Sequence, residues 1–286
     1  MNNMVKLIEC PRDAMQGLHD FIPTKLKAAY INQLLKVGFD TIDFGSFVSP
    51  KAIPQLRDTA EVLSLLDLSQ TNSKLLAIIA NTRGAEDACK FEEINYLGFP
   101  FSISETFQHR NTNSSIEESL IRVEEIQNLC LKNNKKLVIY ISMAFGNPYG
   151  DAWNGEIAVN YTEMLYKKGI RIFAMSDTIG SSNRENIIDL FGKVIPAFAD
   201  AEIGAHLHST PETRIEKIDA AFQSGCIRFD AAIHGIGGCP MAKEELTGNL
   251  ATETLIDYLK DKKIVTHLNE LALKDAYQMA SNIFPS

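Results

Sequence analysis

The sequence predicts an α/β fold, a (β/α)8 TIM barrel with additional C-terminal helices, on three observations. Short apolar, β-branched runs alternate with longer segments of helical period, the pattern of βα units feeding a parallel sheet. Eight such runs recur at roughly 30-residue spacing, about one βα unit each, and eight parallel strands close into a barrel more naturally than they lie open. No Pro/Ser linker or shift in composition divides the 286 residues, so a single catalytic barrel domain over 1–286 is expected.

Taken in order, the expected strands fall at 5–9, 41–44, 74–79, 94–99, 136–141, 170–175, 202–206 and 227–231. Amphipathic helices are expected between them at 24–36, 51–65, 84–91, 115–133, 156–168, 183–194 and 212–224. The 115–133 helix carries its start signal openly: Ser114 and Ser115 offer a capping oxygen, and Glu117 and Glu118 place acids at the positive helix end. Gly38, Gly169 and Gly225 stand just ahead of strands, where a helix must end and the chain reverse. After the eighth strand come a glycine-rich loop at 234–241 and two helices at about 251–261 and 268–283. The turn after the first strand reads Cys10-Pro11-Arg12-Asp13, not the glycine-rich phosphate fingerprint of the rival doubly wound sheet.

Composition narrows the function classes. Apolar residues make up 45% and charged residues 22%, as in an ordinary folded protein. The 28 basic and 36 acidic side chains give a net charge of −8, with Lys and Arg scattered, which argues against a nucleic-acid partner. Five cysteines, Cys10, Cys89, Cys130, Cys226 and Cys239, form no CxxC pair and fit a reducing compartment. No secretion signal is visible, and no window approaches the roughly 18 to 20 apolar residues of a membrane span. A cytoplasmic protein with no membrane partner is expected.

Barrel enzymes work at the C-terminal ends of their strands, so polar residues that end apolar runs are the ones to weigh. Arg12-Asp13 follows the first strand: the Asp can ligate a hard cation and the Arg can clamp a carboxylate, although a plain loop ion pair has the same residues. His206-Leu207-His208 ends the seventh; alternation turns both imidazoles inward and Leu207 outward, a metal half-site or two locally satisfied histidines. Asn249 opens the first C-terminal helix as a neutral oxygen ligand or an ordinary cap. In a closed barrel strands seven, eight and one are neighbours, which puts Asp13, His206, His208 and Asn249 in one sector of the rim. Mixed N and O donors without Cys suit six-coordinate Mg²⁺, Mn²⁺ or Co²⁺. Gly235-Ile236-Gly237-Gly238-Cys239-Pro240 describes a loop able to carry a thiol over that sector. Asp43 and Asp177 are two further strand-end acids, able to position an Arg, orient a His or carry a proton.

With these residues together, the sequence resembles the 3-hydroxy-3-methylglutaryl-CoA lyases, within a metallolyase superfamily of barrels that also holds the isopropylmalate and homocitrate synthases. The resemblance runs nearly the full length, on Pro11-Arg12-Asp13-Ala14-Met15-Gln16, Ser46-Phe47-Val48-Ser49-Pro50-Lys51, the segment 113–119, Asp177-Thr178-Ile179-Gly180, His206-Leu207-His208, Gly237-Gly238-Cys239-Pro240 and Gly248-Asn249-Leu250-Ala251-Thr252-Glu253. It implies a Mg²⁺ or Mn²⁺ ion on Asp13, His206, His208 and Asn249, and substrate contacts from Arg12, Gln16, Ser46, Asn113 and Tyr140. Arg12, Asp43, Asp177, His206 and Cys239 would be catalytic, with proton transfer at Asp177 and Cys239. The implied reaction is retro-Claisen cleavage of an acyl-CoA to acetoacetate and acetyl-CoA, in leucine catabolism, by a homodimer. The pattern also departs: the family has glycine where this chain has Cys10 and Ala14, glutamate at Asp43 and aspartate at Ser209. Asp43, one methylene shorter, is expected to fall short of Arg12, and Ser209 removes a charge near the metal. His234, Met241 and the segment 151–155 also look unusual. The alternatives are a lyase or aldolase for another 3-hydroxy acyl thioester or 2-oxo acid, and a noncatalytic metal-binding barrel.

Overall fold

The structure, a computed structural model, describes residues 5–238 and 247–284. Eight parallel strands close into a barrel in chain order: β1 (Lys6–Glu9), β2 (Thr41–Ser46), β3 (Lys74–Ile78), β4 (Ile94–Ser102), β5 (Lys136–Ser142), β6 (Ile172–Ser176), β7 (Glu202–His206) and β8 (Arg228–Ala231). Around it lie α1 (Pro11–Gln16), α2 (Thr24–Val37), α3 (Thr59–Ser64), α4 (Thr82–Cys89), α5 (Glu105–Thr112), α6 (Ile116–Lys132), α7 (Gly155–Lys167), α8 (Arg184–Ala197) and α9 (Arg214–Gln223). The C-terminal helices are α10 (Thr252–Asp261) and α11 (Glu270–Ile283). Closure is made by β1 pairing with β8, Ile8 opposite Asp230.

Strands covered on both faces read as unbroken apolar runs, so the faces are told apart by what they touch. Leu7, Ile42, Leu75, Leu97, Ile139, Phe173 and Phe229 point outward into one continuous core beneath the helices. Leu76, Val138, Tyr140, Ile172 and Ala174 form a separate cluster inside the barrel. Gly98 is part of that interior, where a Cβ would lie 2.5 Å from Ile78 and 2.9 Å from Tyr140. Strands β3 to β6 thus fill the interior with apolar side chains, whereas buried Asp43, His206, Arg228 and Asp230 come from β2, β7 and β8.

Most helices begin on a side chain that accepts an N–H from the first turn: Asn81, Ser104, Ser115, Asn154, Asn183 and Asn269. Each such cap is worth about 1 kcal/mol. The Ser115 capping box is completed by Glu118. The expected 51–65 helix is instead a 3-10 turn at Pro54–Leu56 followed by α3, because Pro54 lacks an N–H and its ring crowds the preceding turn. Pro11 opens α1 at the first helical position, where its missing N–H is no loss, in a segment expected to be loop.

Glu9 points outward from β1 and ties the C-terminal segment to the barrel. It accepts the Ile233 N–H (2.9 Å) and the Thr252 hydroxyl (2.6 Å). Burial is the main reason its carboxyl is pushed up to about 8. The folded chain therefore keeps a proton that the unfolded chain releases near its ordinary pKa of 4.5, and stability present below that value is lost as pH rises through about 8. Each tenfold difference in proton affinity between the folded and unfolded chain is worth roughly 1.4 kcal/mol. In Glu9→Gln, which keeps an acceptor for Ile233, the drop in urea unfolding free energy between pH 5.5 and 8.5 should be smaller than in the wild type by about 2 kcal/mol or more. Parallel pH curves for the two proteins would show that Glu9 is not the group responsible.

Candidate active site

Asp13 lies on α1, directly beyond the end of β1, while His206 ends β7 and His208 follows two residues on. One ligand atom from each of the three lies within 4.8 Å of the others, and all three residues are buried. Leu207 packs outward into the helix-facing core, as the alternation requires. His206 Nδ1 is 3.2 Å from Asp230 Oδ2, which fixes the ring and leaves Nε2 for the donor cluster. His208 Nε2 is buried without a hydrogen-bond partner among the described residues. An orphaned imidazole nitrogen facing a carboxylate and a second imidazole is what a cation site offers before the ion is counted. The residues fit a divalent metal.

The electrostatics agree. Burial, and then the neighbouring His206 charge, bring the His208 imidazole down to about 4, so it stays neutral and ready to donate. Burial acts to raise the Asp13 carboxyl, but Arg12, His206 and His208 outweigh it and hold it at about 2. For His206, burial acts downward and the bond to Asp230 reverses it, raising the pKa. A deeper trio, Cys10, His206 and Asp230, reuses the same imidazole. Its carboxylate is engaged by Arg228 at 2.8 Å, so that trio supports the His206 ring.

Asn249 is in the expected sector, bridged to His208, but it joins through its amide nitrogen, which donates to Asp13 Oδ2 (2.7 Å) and to the Ile236 carbonyl (2.9 Å). Its oxygen becomes a ligand only with the amide turned over, an arrangement that sets this one oxygen against those of Asp13 and Ile236 and is favourable with a cation between them.

Arg12 organises the adjoining side. Its Nε and Nη2 donate to Asp43 at 3.2, 3.0 and 2.6 Å, and its Nη1 donates to Asp13 and to Gln16 at 2.8 Å. The expectation that Asp43 falls short of Arg12 is therefore corrected. The β2–β3 register shifts between Asp43 and Gly45, and an irregularity of this kind bends a strand and re-aims its side chains. Burial pushes the Asp43 carboxyl up to about 6 against the pull of Arg12.

These groups open on a cavity of about 220 Å³ lined by Arg12, Asp13, Gln16, Ser46, Tyr140, His206 and His208 among the residues singled out from the sequence. Two of the expected site residues are elsewhere. Asn113 is exposed and ends α5 in the left-handed conformation, φ 51°, a helix-capping role that Asn tolerates well; Asn111, just before it in the chain, lines the cavity instead. Asp177 is buried but turned away, accepting from Lys217 Nζ (2.9 Å) and from Ser182. Lys217 also donates to the His208 carbonyl at 2.7 Å, so this ion pair positions the backbone of a residue of the donor cluster. Cys239, Pro240 and Met241 lie outside the described residues. The loop leading to them passes directly over the donors: at Gly237, φ 104°, a Cβ would stand 2.7 Å from both the Asn249 amide nitrogen and the Asp13 carbonyl oxygen. His234, at the root of that loop, is held by Glu253 (2.8 Å) and Ser281 (3.0 Å).

Asp230, Arg228, Lys217, Ser142, Ser176, Thr178 and Phe107 are contributors that pattern and spacing did not single out. Arg228 and Asp230 carried a signal, since charged residues two apart in an otherwise apolar strand must share a face. Among the described residues no helix is long and apolar enough to cross a membrane.

Comparison with known proteins gives a consistent answer. Hydroxymethylglutaryl-CoA lyase YngG of Bacillus subtilis is 34% identical over 258 residues, covering 90% of this chain and 85% of its own. The mitochondrial hydroxymethylglutaryl-CoA lyase of Macaca fascicularis is 32% identical over 275 residues, covering 95% and 83%. Among solved structures, an HMG-CoA lyase from Acinetobacter baumannii in complex with coenzyme A and 3-methylmalate superposes with a TM-score of 0.92 at 29% identity, covering 99% of this chain and 92% of that one. The Bacillus subtilis HMG-CoA lyase gives 0.91 at 32% identity, covering 99% and 96%. The HMGL-like family matches residues 5–280, and the chain belongs to it.

Proposed function

We propose that this chain is a hydroxymethylglutaryl-CoA lyase, cleaving 3-hydroxy-3-methylglutaryl-CoA to acetoacetate and acetyl-CoA. The observation that carries this reading is the Asp13, His206 and His208 donor cluster, set beside Arg12 at the mouth of a barrel shared with hydroxymethylglutaryl-CoA lyases.

Asp13, His206 and His208, with Asn249 alongside, would hold Mg²⁺ or Mn²⁺, which supplies Lewis-acid polarisation of substrate oxygens. The chain's own residues do the rest. Arg12, fixed by Asp43, Asp13 and Gln16, presents a guanidinium that cannot swing away, and stabilises negative charge growing on the thioester oxygen. As the C2–C3 bond breaks, its electron pair moves to the thioester α-carbon while the tertiary hydroxyl loses its proton and becomes the ketone of acetoacetate. The α-carbon then takes up a proton. Asp43 and Asp177 are each engaged by a buried cation; the resemblance, not the geometry, implies Cys239 as the proton carrier, with its loop keeping water from the enolate. The odd number of cysteines, with no CxxC pair, favours a cytoplasmic setting, and the resemblance favours a homodimer working in leucine catabolism.

The test is a coupled assay for acetyl-CoA release from 3-hydroxy-3-methylglutaryl-CoA with Mg²⁺, with Mn²⁺ and with chelator. Metal-dependent release is expected. Silence from protein that demonstrably binds the metal would reject the reading.

A further inference from the structure

Beyond β8 the chain turns through His234 into the glycine-rich segment 235–238, and that segment reaches the donor cluster through two side-chain amides. The Ile236 carbonyl accepts from Asn249 Nδ2 at 2.9 Å and the Gly238 carbonyl from Gln16 Nε2 at 3.3 Å. The same two nitrogens donate to Asp13, Asn249 to Oδ2 at 2.7 Å and Gln16 to Oδ1 at 2.6 Å. Both oxygens of the Asp13 carboxylate are thus oriented from the main chain of 236–238. Where that main chain lies is set at its start. His234 stands there with φ 64° and ψ 4°, left-handed backbone that glycine adopts freely and residues with a Cβ avoid. Glycine would make the turn alone more easily, as the next residue, Gly235 (φ 67°), does. What His234 adds is its ring. Nδ1 meets Glu253 Oε1 on α10 at 2.8 Å, and Nε2 meets Ser281 Oγ on α11 at 3.0 Å. The ring centre lies 6.2 Å from that of Tyr277, also on α11. A strained residue persists where its surroundings over-determine it, and here two helices do so.

We infer that His234 is a positioning residue of the centre: it ties the start of segment 235–238 to α10 and α11 and, through the Ile236 and Gly238 carbonyls, keeps Asn249 and Gln16 on the Asp13 carboxylate. Gln16 also accepts from Arg12 Nη1 at 2.8 Å, so the guanidinium is steadied by the same route. His234 itself touches neither the donors nor the cavity lining, and acts only through the main chain that follows it. The expected effect on turnover rests on the lyase reading; the expected effect on metal binding rests on the donor cluster alone.

The experiment compares three variants of the full chain with the wild type. His234→Gly relieves the backbone and cuts both ring bonds. His234→Asn tolerates the left-handed backbone and keeps a short polar side chain beside Glu253. Ser281→Ala removes the tie to α11 and leaves His234 in place. Mn²⁺ affinity is titrated without substrate, and kcat, KM and the urea midpoint are measured on the same samples. His234→Gly should lose about tenfold or more in Mn²⁺ affinity, the effect expected of a group that orients metal donors from outside. Its kcat should fall by about tenfold or more with KM little changed, because a small displacement of positioned groups acts on the reacting geometry. Its urea midpoint should hold, since relief of the backbone offsets the lost bonds. His234→Asn and Ser281→Ala should fall between it and the wild type. Mn²⁺ affinity and kcat at the wild-type level in His234→Gly would overturn the inference, and a lowered urea midpoint beside them would make the ring a staple of the fold alone. If His234→Gly does not fold, the other two variants decide, and wild-type Mn²⁺ affinity in both overturns the inference. Absence of acetyl-CoA release from the wild type would fail the lyase reading, while a tenfold loss of Mn²⁺ affinity in His234→Gly would still support the positioning role.

Discussion

His208→Ala should lower acetyl-CoA release from 3-hydroxy-3-methylglutaryl-CoA by about a thousandfold or more, while the protein stays folded and loses most of its affinity for Mn²⁺. The reason is specific to this side chain. Among the described residues His208 Nε2 has no hydrogen-bond partner, and the backbone around it is held by other means, with its carbonyl on Lys217. Truncation therefore removes a donor and little else. A bound cation in such a site is worth several kcal/mol of charge stabilisation, and each 1.4 kcal/mol is a factor of about ten in rate. Asp230→Asn is the graded comparison: it leaves all three donors and weakens the bond that orients His206, so the loss in metal affinity should be about 10- to 100-fold. Titration of metal-free protein with Mn²⁺, followed by the acetyl-CoA assay on the same samples, measures both. Undiminished Mn²⁺ binding by His208→Ala would remove this histidine from the centre.

Why some of this could be read in the sequence and some could not follows from the range of each interaction. Period and spacing are local, so the eight strands and the inward pair His206 and His208 were legible; α1 and α5, with 6 and 8 residues, are too short to show a period. The rim sector of Asp13, His206, His208 and Asn249 followed from closure alone, because closure makes β1 and β8 neighbours. Directions were not legible. Asp177 ends an inward-leading motif as convincingly as Asp13 does, yet a lysine 40 residues away on α9 captures it. At Asp43 side-chain length alone misleads, because the register shift of the strand beside Gly45 brings the shorter acid to Arg12. Asn113 belonged to a resembling segment, but the positive φ that ends α5 is what its position demands.

The Arg12–Asp43 pair allows stability and catalysis to be separated. Arg12→Lys should lower kcat/KM by about 100-fold or more, because a single ammonium cannot replace a guanidinium that holds Asp43, Asp13 and Gln16 at once and, on the proposed mechanism, must still meet the thioester oxygen. Arg12→Ala goes further and strands a carboxylate. Asp43 is wholly buried, and burial already lifts it to about 6 with Arg12 in place; breaking a buried pair of this kind destabilises by roughly 3–5 kcal/mol. Removing the acid as well relieves that penalty, so Arg12→Ala/Asp43→Ala should unfold at a higher urea concentration than Arg12→Ala. It should remain as inactive as the single variant, since nothing replaces the charge at the thioester oxygen. If Arg12 served only to neutralise Asp43, turnover would return along with stability. Urea midpoints and kcat/KM measured on the four proteins of the cycle distinguish the two roles.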